Sequence, residues 1–438
     1  MKAPARPQLL GFWMCVALVI GNTIGSGVFL LPSALAPFGL NSVIAWGFTA
    51  AGALLLAVVF ANLSREFPQA GGPYAYVKLA FGPLTAFIMV WGYWISICVG
   101  NVAIATGGVS YLTPFMPWIA DVPGASAVVT LALLWLLTFV NCYGIKASGR
   151  VQSVTTVLKV MPLVAISALG LFAVRAATVK AAAGVPLSLA GTTAAATQTL
   201  WALLGLESAT VPAGKVRDPS RTIPRATLIG TAITALICMV ACTSVLLLIP
   251  NAKLASSNAP FVDLAAQFWG KTAGEVLAIF AAISAFGALN GWILLQGELP
   301  NVMAKNGVFP RVFAADSARF TPTFSLVFSS ALVSVLLLMN YQRSMVKIFT
   351  FMTLLSTTAC LVLYALCSLA LLRLQWSGEM RVPGGRAVTL AGIAVLAEAY
   401  SLWAIVGAGL KPVAWGAVLL SAGVPVYFLV RKAEEQSA

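Results

Sequence analysis

Two short segments rich in glycine and polar side chains interrupt long apolar runs of this sequence. The first, GNTIGSGVF, covers residues 21–29, and the second, GLESAT, covers residues 205–210. Glycine weakens an α-helix, and Asn, Thr and Ser side chains compete for its backbone hydrogen bonds, so both segments favour local unwinding. Inside a bilayer, unwound backbone is tolerated only where protein or a water-filled cavity satisfies it. The two segments therefore predict an internal cavity that is lined by free backbone N–H and C=O groups.

Ser26 and Gly27 of the first segment occupy the position of an anion site. If a helix breaks here and resumes, their amides lie at the start of the second half, where unpaired N–H groups and the helix dipole attract a carboxylate. A glycine-rich packing face is the alternative, since small residues let membrane helices approach closely. Asn22 and Thr23 favour the broken helix, because a packing face gains nothing from polar groups that need partners.

Glu207, in the second segment, is the acid whose position is most informative. A carboxylate within a membrane is costly and usually functional. The sequence contains no histidine, so acid sensing would fall on carboxylates. The alternative is a structural glutamate that is bonded to its own broken helix. Glu298 and Glu398 also belong to apolar spans. Glu298 fits a position at the end of a helix equally well. The role of each of these two acids is open.

Trp201 and Trp292 lie in the middle of their apolar runs. An aromatic face binds an organic cation with about 0.5–2 kcal/mol per contact, and it does so without the tight hold of a buried carboxylate. Most tryptophans of a membrane protein belong to the core or to the interfacial belts, and the belts require the end of a span. Cation binding is therefore a hypothesis that stands beside an ordinary core role.

The composition defines the class of protein. Of the 438 residues, 60% are hydrophobic and 9% are charged, and the mean hydropathy is +0.95, as expected for an integral membrane protein built from helices. The formal net charge of +14 is spread over short loops and indicates a topology signal rather than nucleic-acid binding. The seven cysteines lie in apolar spans without metal-ligand spacing and are expected to be reduced core residues.

Motifs of enzymes are absent from the sequence. It contains neither HExxH nor GxSxG, and the GKT at residues 270–272 lacks the upstream glycine of a phosphate loop because residue 265 is alanine. We therefore expect neither an enzyme nor a cofactor or metal site.

Apolar windows predict twelve membrane spans within a single domain that covers residues 1–438. An even count puts both termini on one side, and 18 of the 26 basic residues lie in segments on that side, which predicts cytoplasmic termini. The predicted spans are residues 9–35, 41–63, 84–112, 124–144, 152–174, 191–213, 225–249, 273–299, 323–339, 346–372, 387–408 and 413–430.

The two broken spans are the first and the sixth. The sixth span follows the first at an offset of five, an odd number, so the broken helices run in opposite directions, as in an inverted repeat whose halves each begin with a discontinuous helix. The predicted fold class is all-α integral membrane with a 5+5 inverted repeat. The repeats cover residues 9–174 and 191–372, and residues 387–430 form two additional helices. In such folds the substrate lies between the two breaks at the midplane.

Several motifs in their order along the chain resemble the amino acid–polyamine–organocation (APC) transporters. Among these, the sequence is most similar to the basic amino acid/polyamine antiporters, and within them to the arginine/agmatine antiporters. The motifs are GNTIGSGVFLLP at 21–32, PQAGGPYAYVKLAFGP at 68–83, TLWALLGLESAT at 199–210, KVRDPSRTIPRAT at 215–227, GW at 291–292 and AKNGVFP at 304–310.

The resemblance implies a set of site residues. The first break would hold the substrate carboxylate, and backbone oxygens near Trp201 and Gly205 would receive its α-ammonium. Glu207 would sense protons. Gating would fall to Tyr93, Trp201, Trp292 and Tyr364. The substrate-binding residues would be Asn22, Ile24, Gly25, Ser26, Gly27, Ser96, Ile97, Asn101, Trp201, Leu204, Gly205, Trp292 and Ser356.

The resemblance also implies the function. A cationic amino acid would be exchanged for its decarboxylated amine across the bacterial inner membrane by alternating access. Arginine and agmatine would be the first choice of substrate pair, and the exchange would serve acid resistance. The protein would lie in the lipid bilayer, bind no nucleic acid and form a possible homodimer.

The third span departs from this pattern. Ser96, Ile97 and Ile104 stand where the arginine/agmatine proteins have small or sulfur-containing residues. A more apolar side-chain pocket favours the alternative, a neutral or broad-specificity amino acid exchanger or a proton-coupled permease. An amino acid sensor on the same fold would normally carry a large soluble extension, and a channel would show a ring of charges or a continuous polar stripe.

Overall fold

The computed structural model describes residues 11–435 except 26, 69–71, 144–159, 177, 180–183, 211–212, 214–215, 318–320, 341 and 381. Ser26, one of the predicted binding residues, lies outside the described residues, as do residues 152–159 of the fifth predicted span.

The described residues form an all-helical structure. Eight helices are long and apolar enough to cross a membrane, and one bent pair makes a possible ninth span. In chain order, the main helices are α1 (Phe12–Thr23), α2 (Gly27–Leu35), α3 (Leu40–Glu66), α4 (Pro73–Phe81), α5 (Pro83–Ser110), α6 (Ala125–Cys142), α7 (Val160–Ala173), α8 (Leu189–Leu200), α9 (Pro219–Leu248), α10 (Pro260–Trp269), α11 (Lys271–Lys305), α12 (Thr323–Leu338), α13 (Met345–Trp376), α14 (Gly384–Gly407), α15 (Leu410–Ser421) and α16 (Gly423–Glu435).

Each predicted span overlaps one of these helices or a pair of them. Helices α8 and α12 have only 12 and 16 residues, fewer than the roughly 20 that a full crossing requires. The multi-pass helical architecture is therefore as predicted. The count of twelve spans and the inverted repeat stay predictions.

The first helix break lies where the glycine-rich segment predicts it. Helix α1 ends at Thr23, α2 begins at Gly27, and the axes of the two helices differ by 45°. The last helical hydrogen bond of α1 runs from the Ile24 amide to the carbonyl of Ile20 over 2.8 Å, and the Gly25 amide donates to the nearby Thr23 carbonyl instead. The backbone is thus irregular beside a helix start, the geometry that exposes amide groups.

The second break follows α8 and is more extended. Two short 3₁₀ turns, Trp201–Leu203 and Leu206–Ala209, are separated by Leu204 in extended conformation and by Gly205. Gly205 has φ +99°, a left-handed conformation that glycine adopts without the steric cost of a Cβ. The glycine at this position is therefore needed for the chain to change direction.

Helices α5 and α13 form the centre of the molecule. Nearly all of α5 from Met89 to Ser110 is buried, and most of α13 is buried as well. A membrane helix with no exposed face is surrounded by other helices, whereas α14, α15 and α16 expose many apolar side chains on the outside. The centre of the structure is thus built around the pair that faces both breaks.

Candidate functional site

An internal cavity of about 40 Å³ lies between the two helix breaks, enough for only a few water molecules. Its walls come from α1, α2, α5, α11, α13 and the irregular segment that follows α8. The lining residues are Asn22, Thr23, Gly25, Gly27, Val28, Tyr93, Ser96, Ile97, Gly100, Ile104, Trp201, Ala202, Leu204, Gly205, Glu207, Trp292, Ser356 and Cys360.

The indole ring of Trp201 crosses this cavity. A Cβ atom added to Gly27 would lie 1.9 Å from Trp201 Nε1, and one added to Gly100 would lie 3.0 Å from Trp201 Cη2. Only residues without a Cβ at 27 and 100 let the ring lie this close to both helices. Trp201 therefore closes the space between the first residue of α2 and the wall formed by α5.

The two breaks touch each other at Gly205. A Cβ atom added there would lie 3.4 Å from the backbone oxygen of Asn22 and 3.5 Å from Cζ2 of Trp292. Trp292 is half-buried and projects from the middle of α11. The irregular backbone of both segments and a second aromatic face thus meet at one point, as the sequence hypothesis of a cavity between two breaks requires.

Glu207 is fully buried and is held by two tyrosines. The hydroxyl of Tyr93 on α5 donates to Oε1 over 2.8 Å, and that of Tyr364 on α13 donates to Oε2 over 2.8 Å. Neither of the two ion pairs found in the described part of the chain includes Glu207. The carboxylate is therefore stabilised by neutral donors on two different helices.

Tyr364 also connects the carboxylate to the second break. Its oxygen accepts a hydrogen bond of 3.2 Å from the Gly205 amide, and the hydroxyl of Ser208 donates to the Gly205 carbonyl. A proton on Glu207 would need an acceptor of its own, so one of the two tyrosine hydroxyls would have to turn. The hydrogen bonding of Gly205 is thus coupled to the protonation state of Glu207.

The far side of the cavity is formed by α5 and α13. The hydroxyl of Ser96 donates to the carbonyl of Ser356 over 2.9 Å, and that of Ser356 donates to the carbonyl of Ser96 over 2.7 Å. Ile97 and Ile104 add apolar side chains to the same wall. Among the described lining residues, Glu207 is the only carboxylic acid, and none is Lys or Arg. The side-chain end of the cavity is consequently apolar, with two serine hydroxyls that donate to backbone carbonyls.

Most of the predicted site residues meet around this cavity, but three do not line it. Ile24 is fully buried in the apolar core. Asn101 is fully buried and bonds to Gln296 on α11, and Tyr364 acts through Glu207 and Gly205. Ser26 lies outside the described residues.

Five lining residues are missing from the sequence prediction. Gly100 and Cys360 were detectable from helical spacing, because each follows a predicted site residue, Ser96 or Ser356, by four positions on the same helix face. The other three line the cavity because they lie beside the breaks, and their residue types alone do not indicate this position. They are Thr23, Val28 and Ala202.

Apart from Cys360, the remaining candidates of the sequence are not among the residues that line the cavity. All seven cysteines are free, six of them buried and Cys142 half-buried. Lys271 of the GKT segment begins α11 and pairs with Glu275 over 3.6 Å at the surface. Glu398 is half-buried in α14, with Oε2 buried and without a hydrogen-bond partner among the described residues. No group of three potential metal ligands occurs in the searched part of the chain.

A helical multi-pass fold with two broken helices around a polar and aromatic cavity defines a membrane transporter. Comparison with known proteins agrees with this class: the amino acid permease family model matches residues 10–430. The chain belongs to that family, within the APC superfamily and its basic amino acid/polyamine antiporters.

The similar proteins are bacterial transporters. A putative arginine/ornithine antiporter of Bacillus subtilis is 34% identical over 430 residues, which cover 90% of this chain and 91% of that protein. The putrescine transporter PotE of Haemophilus influenzae is 30% identical over 97% of this chain and 98% of its own length. A cadaverine/lysine antiporter of Escherichia coli K12 is 33% identical over 75% of this chain and 74% of its own length.

Proposed function

We propose that this protein is a secondary active antiporter that exchanges a cationic amino acid for its decarboxylated amine by alternating access, with arginine and agmatine as the first pair to test. The observation that carries the proposal is the contact between the two helix breaks at Gly205 and Asn22, beside both tryptophans. The names of the similar proteins, which pair arginine with ornithine or lysine with cadaverine, support the same substrate class.

The substrate backbone binds at the breaks. Its carboxylate accepts hydrogen bonds from the free amides at the start of α2, near Gly27, where the dipole of the helix is positive. Its α-ammonium donates to backbone oxygens of the second break, near Trp201 and Gly205. A decarboxylated amine keeps the second set of contacts and loses the first.

The two tryptophans hold the cationic side chain and open the path to it. Trp201 and Trp292 offer ring faces at the cavity, and a cation over such a face gains about 0.5–2 kcal/mol. Because the cavity has a volume of only about 40 Å³, a substrate enters only after an aromatic side chain moves. Rotation of Trp201 away from Gly27 and Gly100 provides that movement.

Glu207 acts as the proton sensor, and Tyr93 and Tyr364 transmit its state. A proton on one carboxylate oxygen would make that oxygen the donor in its hydrogen bond of 2.8 Å to the neighbouring tyrosine, and the other oxygen would still accept. Through the bond from the Gly205 amide to Tyr364, the change reaches the backbone that binds the α-ammonium. Exchange of an amino acid for a more positive amine at low pH would use this link.

The proposed architecture has twelve spans, a 5+5 inverted repeat and both termini in the cytoplasm. Helices α7, α8 and α12 occupy the fifth, sixth and ninth positions, and each overlaps a predicted span. The protein would lie in the inner membrane, with homodimer formation as in the antiporters that it resembles.

A neutral or broad-specificity amino acid exchanger, or a proton-coupled permease, is the second candidate. Ile97 and Ile104 both line the side-chain end of the cavity. Two isoleucine side chains favour an apolar substrate side chain over a guanidinium, which needs acceptors for its N–H groups.

Counterflow in proteoliposomes distinguishes these functions. Vesicles are loaded with unlabelled agmatine, labelled arginine is added outside, and alanine, lysine and ornithine serve as external competitors. We expect arginine to accumulate only with agmatine inside and to resist competition by alanine. Vesicles with the Trp292→Leu variant, which lacks one of the two ring faces, should lose this exchange. Vesicles with Trp415→Leu, a substitution on the outer surface of α15, are the control and should keep it.

Accumulation of neutral amino acids alone would contradict the proposal and support the second candidate. Accumulation of arginine that does not depend on internal agmatine would identify a uniporter or symporter instead of an antiporter.

A further inference from the structure

The first turn of helix α2 lies at the cavity and has fewer helical hydrogen bonds than a regular turn. The helix has nine residues, Gly27–Leu35, and Pro32 lies inside it. Proline has no amide hydrogen, so the carbonyl of Val28, four residues earlier, has no regular helical donor. Gly27 and Val28 both line the cavity. The turn that faces the cavity therefore depends on support from outside its own helix.

Two side chains from neighbouring elements supply this support. The hydroxyl of Tyr111, which directly follows the last residue of α5, donates to the Phe29 carbonyl over 2.7 Å. The thiol of Cys242 on α9 donates to the Val28 carbonyl over 3.9 Å. Both side chains are buried. A thiol is a weak donor, so Tyr111 is the stronger of the two anchors.

The surroundings of Tyr111 determine the direction of its hydrogen bond to α2. Its oxygen accepts a hydrogen bond of 3.4 Å from the Phe261 amide in the first turn of α10. A phenol has a single proton, and that proton is left for the Phe29 carbonyl. The Phe29 ring packs edge-to-face against the rings of Tyr111 and Phe261, with centroid distances of 5.6 Å to each. Ring packing and hydrogen bonding together thus fix Tyr111 on the first turn of α2.

We propose that Tyr111 is a positioning residue that holds the first turn of α2, and with it the amides for the substrate carboxylate, and so sets the preference for an amino acid over its decarboxylated amine. The inference rests on the proposed function, which places the carboxylate at these amides. A hydrogen bond from an amide to a carboxylate is charge-assisted and depends on the direction of the N–H group. The amine has no carboxylate, so a loosened turn weakens binding of the amino acid alone.

The test compares arginine with agmatine as ligands of the purified protein. Each is titrated as an unlabelled competitor against bound labelled agmatine, and the two inhibition constants are measured. Tyr111→Phe keeps the ring and its packing and removes only the hydroxyl. We expect the inhibition constant of arginine to rise about fivefold, the effect of one hydrogen bond, and that of agmatine to stay unchanged.

Two variants provide matched controls. Tyr400→Phe removes a buried tyrosine hydroxyl that has no hydrogen-bond partner among the described residues. Ser257→Ala loosens the start of α10, because the Ser257 hydroxyl donates to Asp263 Oδ2 over 2.6 Å, and it leaves the contacts of Tyr111 with α2 in place. Both variants should keep the wild-type ratio of the two constants. The second control separates the anchor on α2 from the Phe261 amide, which Tyr111→Phe also leaves without its partner.

The second anchor provides an independent variant. Cys242→Ala removes the thiol from the Val28 carbonyl and should change the ratio in the same direction, by about twofold because the bond is weaker. This variant keeps the inference testable if Tyr111→Phe does not fold. Cys238→Ala, one turn earlier on α9 and equally buried, is its control and should keep the ratio.

The outcomes separate the inference from the proposed function. If both constants rise by the same factor in Tyr111→Phe, or if Ser257→Ala reproduces the change of ratio, Tyr111 does not act through the first turn of α2. If Tyr111→Phe and Cys242→Ala both leave the ratio unchanged, the turn does not depend on these anchors. Each of these results overturns the inference and leaves the proposed function standing. If the wild-type protein binds neither arginine nor agmatine, the proposed function fails, and the inference fails with it.

Discussion

Glu207 shows how one residue can combine stability with a switch. A buried charge without a partner is destabilising, and here two tyrosine hydroxyls at 2.8 Å supply the hydrogen bonds that keep the carboxylate in place. Because both donors are neutral, no cation of the described residues pairs with the carboxylate to hold it ionised at every pH. The same arrangement can therefore respond to acid without loss of the surrounding structure.

Replacing Glu207 with glutamine tests that response. Glu207→Gln keeps one accepting oxygen and replaces the other by an NH₂ group, so Tyr93 or Tyr364 loses its acceptor and the site no longer titrates. We expect exchange measured from pH 5 to pH 8 to become nearly independent of pH. Glu275→Gln, at a surface ion pair of α11, should keep the wild-type profile. A Glu207→Gln profile that follows the wild type would make Glu207 structural.

At the scale of elements, close packing depends on residues without a Cβ. Helix α14 crosses α8 at Gly407, where an added Cβ would lie 2.3 Å from the Thr193 backbone oxygen and 2.4 Å from Thr197 Oγ1. Thr197 donates from that oxygen to the Ala404 carbonyl over 2.6 Å. The small residue thus permits both the contact and the interhelical hydrogen bond, as is usual between membrane helices.

The variant Gly407→Ala should therefore destabilise the contact between α8 and α14. The backbone of Thr193 cannot yield locally, so we expect a loss of about 1–3 kcal/mol, as for other overpacked contacts. The measurement is the thermal unfolding midpoint of the detergent-purified protein. Gly392→Ala lies on the same helix with no atom within 4 Å of the added Cβ and should leave the midpoint unchanged or slightly raised. Equal midpoints for the two variants would contradict the packing argument.

At the scale of the whole molecule, the charge distribution orients the protein. Of the 26 basic residues, 18 lie in segments on the predicted side of the termini, and loops rich in Lys and Arg stay in the cytoplasm. This orientation decides on which side the substrate amine leaves and the amino acid enters, and it is independent of the geometry of the cavity.

Reporter fusions check the orientation. A fluorescent protein that folds only in the cytoplasm should fluoresce when fused after residue 435, and alkaline phosphatase, which is active only outside the cytoplasm, should be active when fused at Gly409 between α14 and α15. The reversed fusions provide the controls. Activity of phosphatase at the carboxyl terminus would overturn the predicted topology.

The sequence by itself determined the class of protein, the approximate positions of the long apolar helices and the two breaks, but it did not predict α4 and α10. These features depend on local properties: apolar length fixes a membrane helix, and glycine with polar neighbours weakens it at residues 21–29 and 205–210. Gly205 illustrates the limit, because its left-handed backbone is predictable from its type, whereas its contact with Asn22 is not.

Only the tertiary structure decided which side chains meet. Tyr93 and Tyr364 lie 114 and 157 positions from Glu207 in the chain, and Asn101 turns to Gln296 instead of lining the cavity as the sequence predicted. Such pairings follow from how buried helices rotate and pack, since a helix surrounded on all sides has no apolar face that would fix its rotation in advance. The residue types therefore indicated the chemistry of the site, whereas helix packing determined which of these residues form hydrogen bonds with one another.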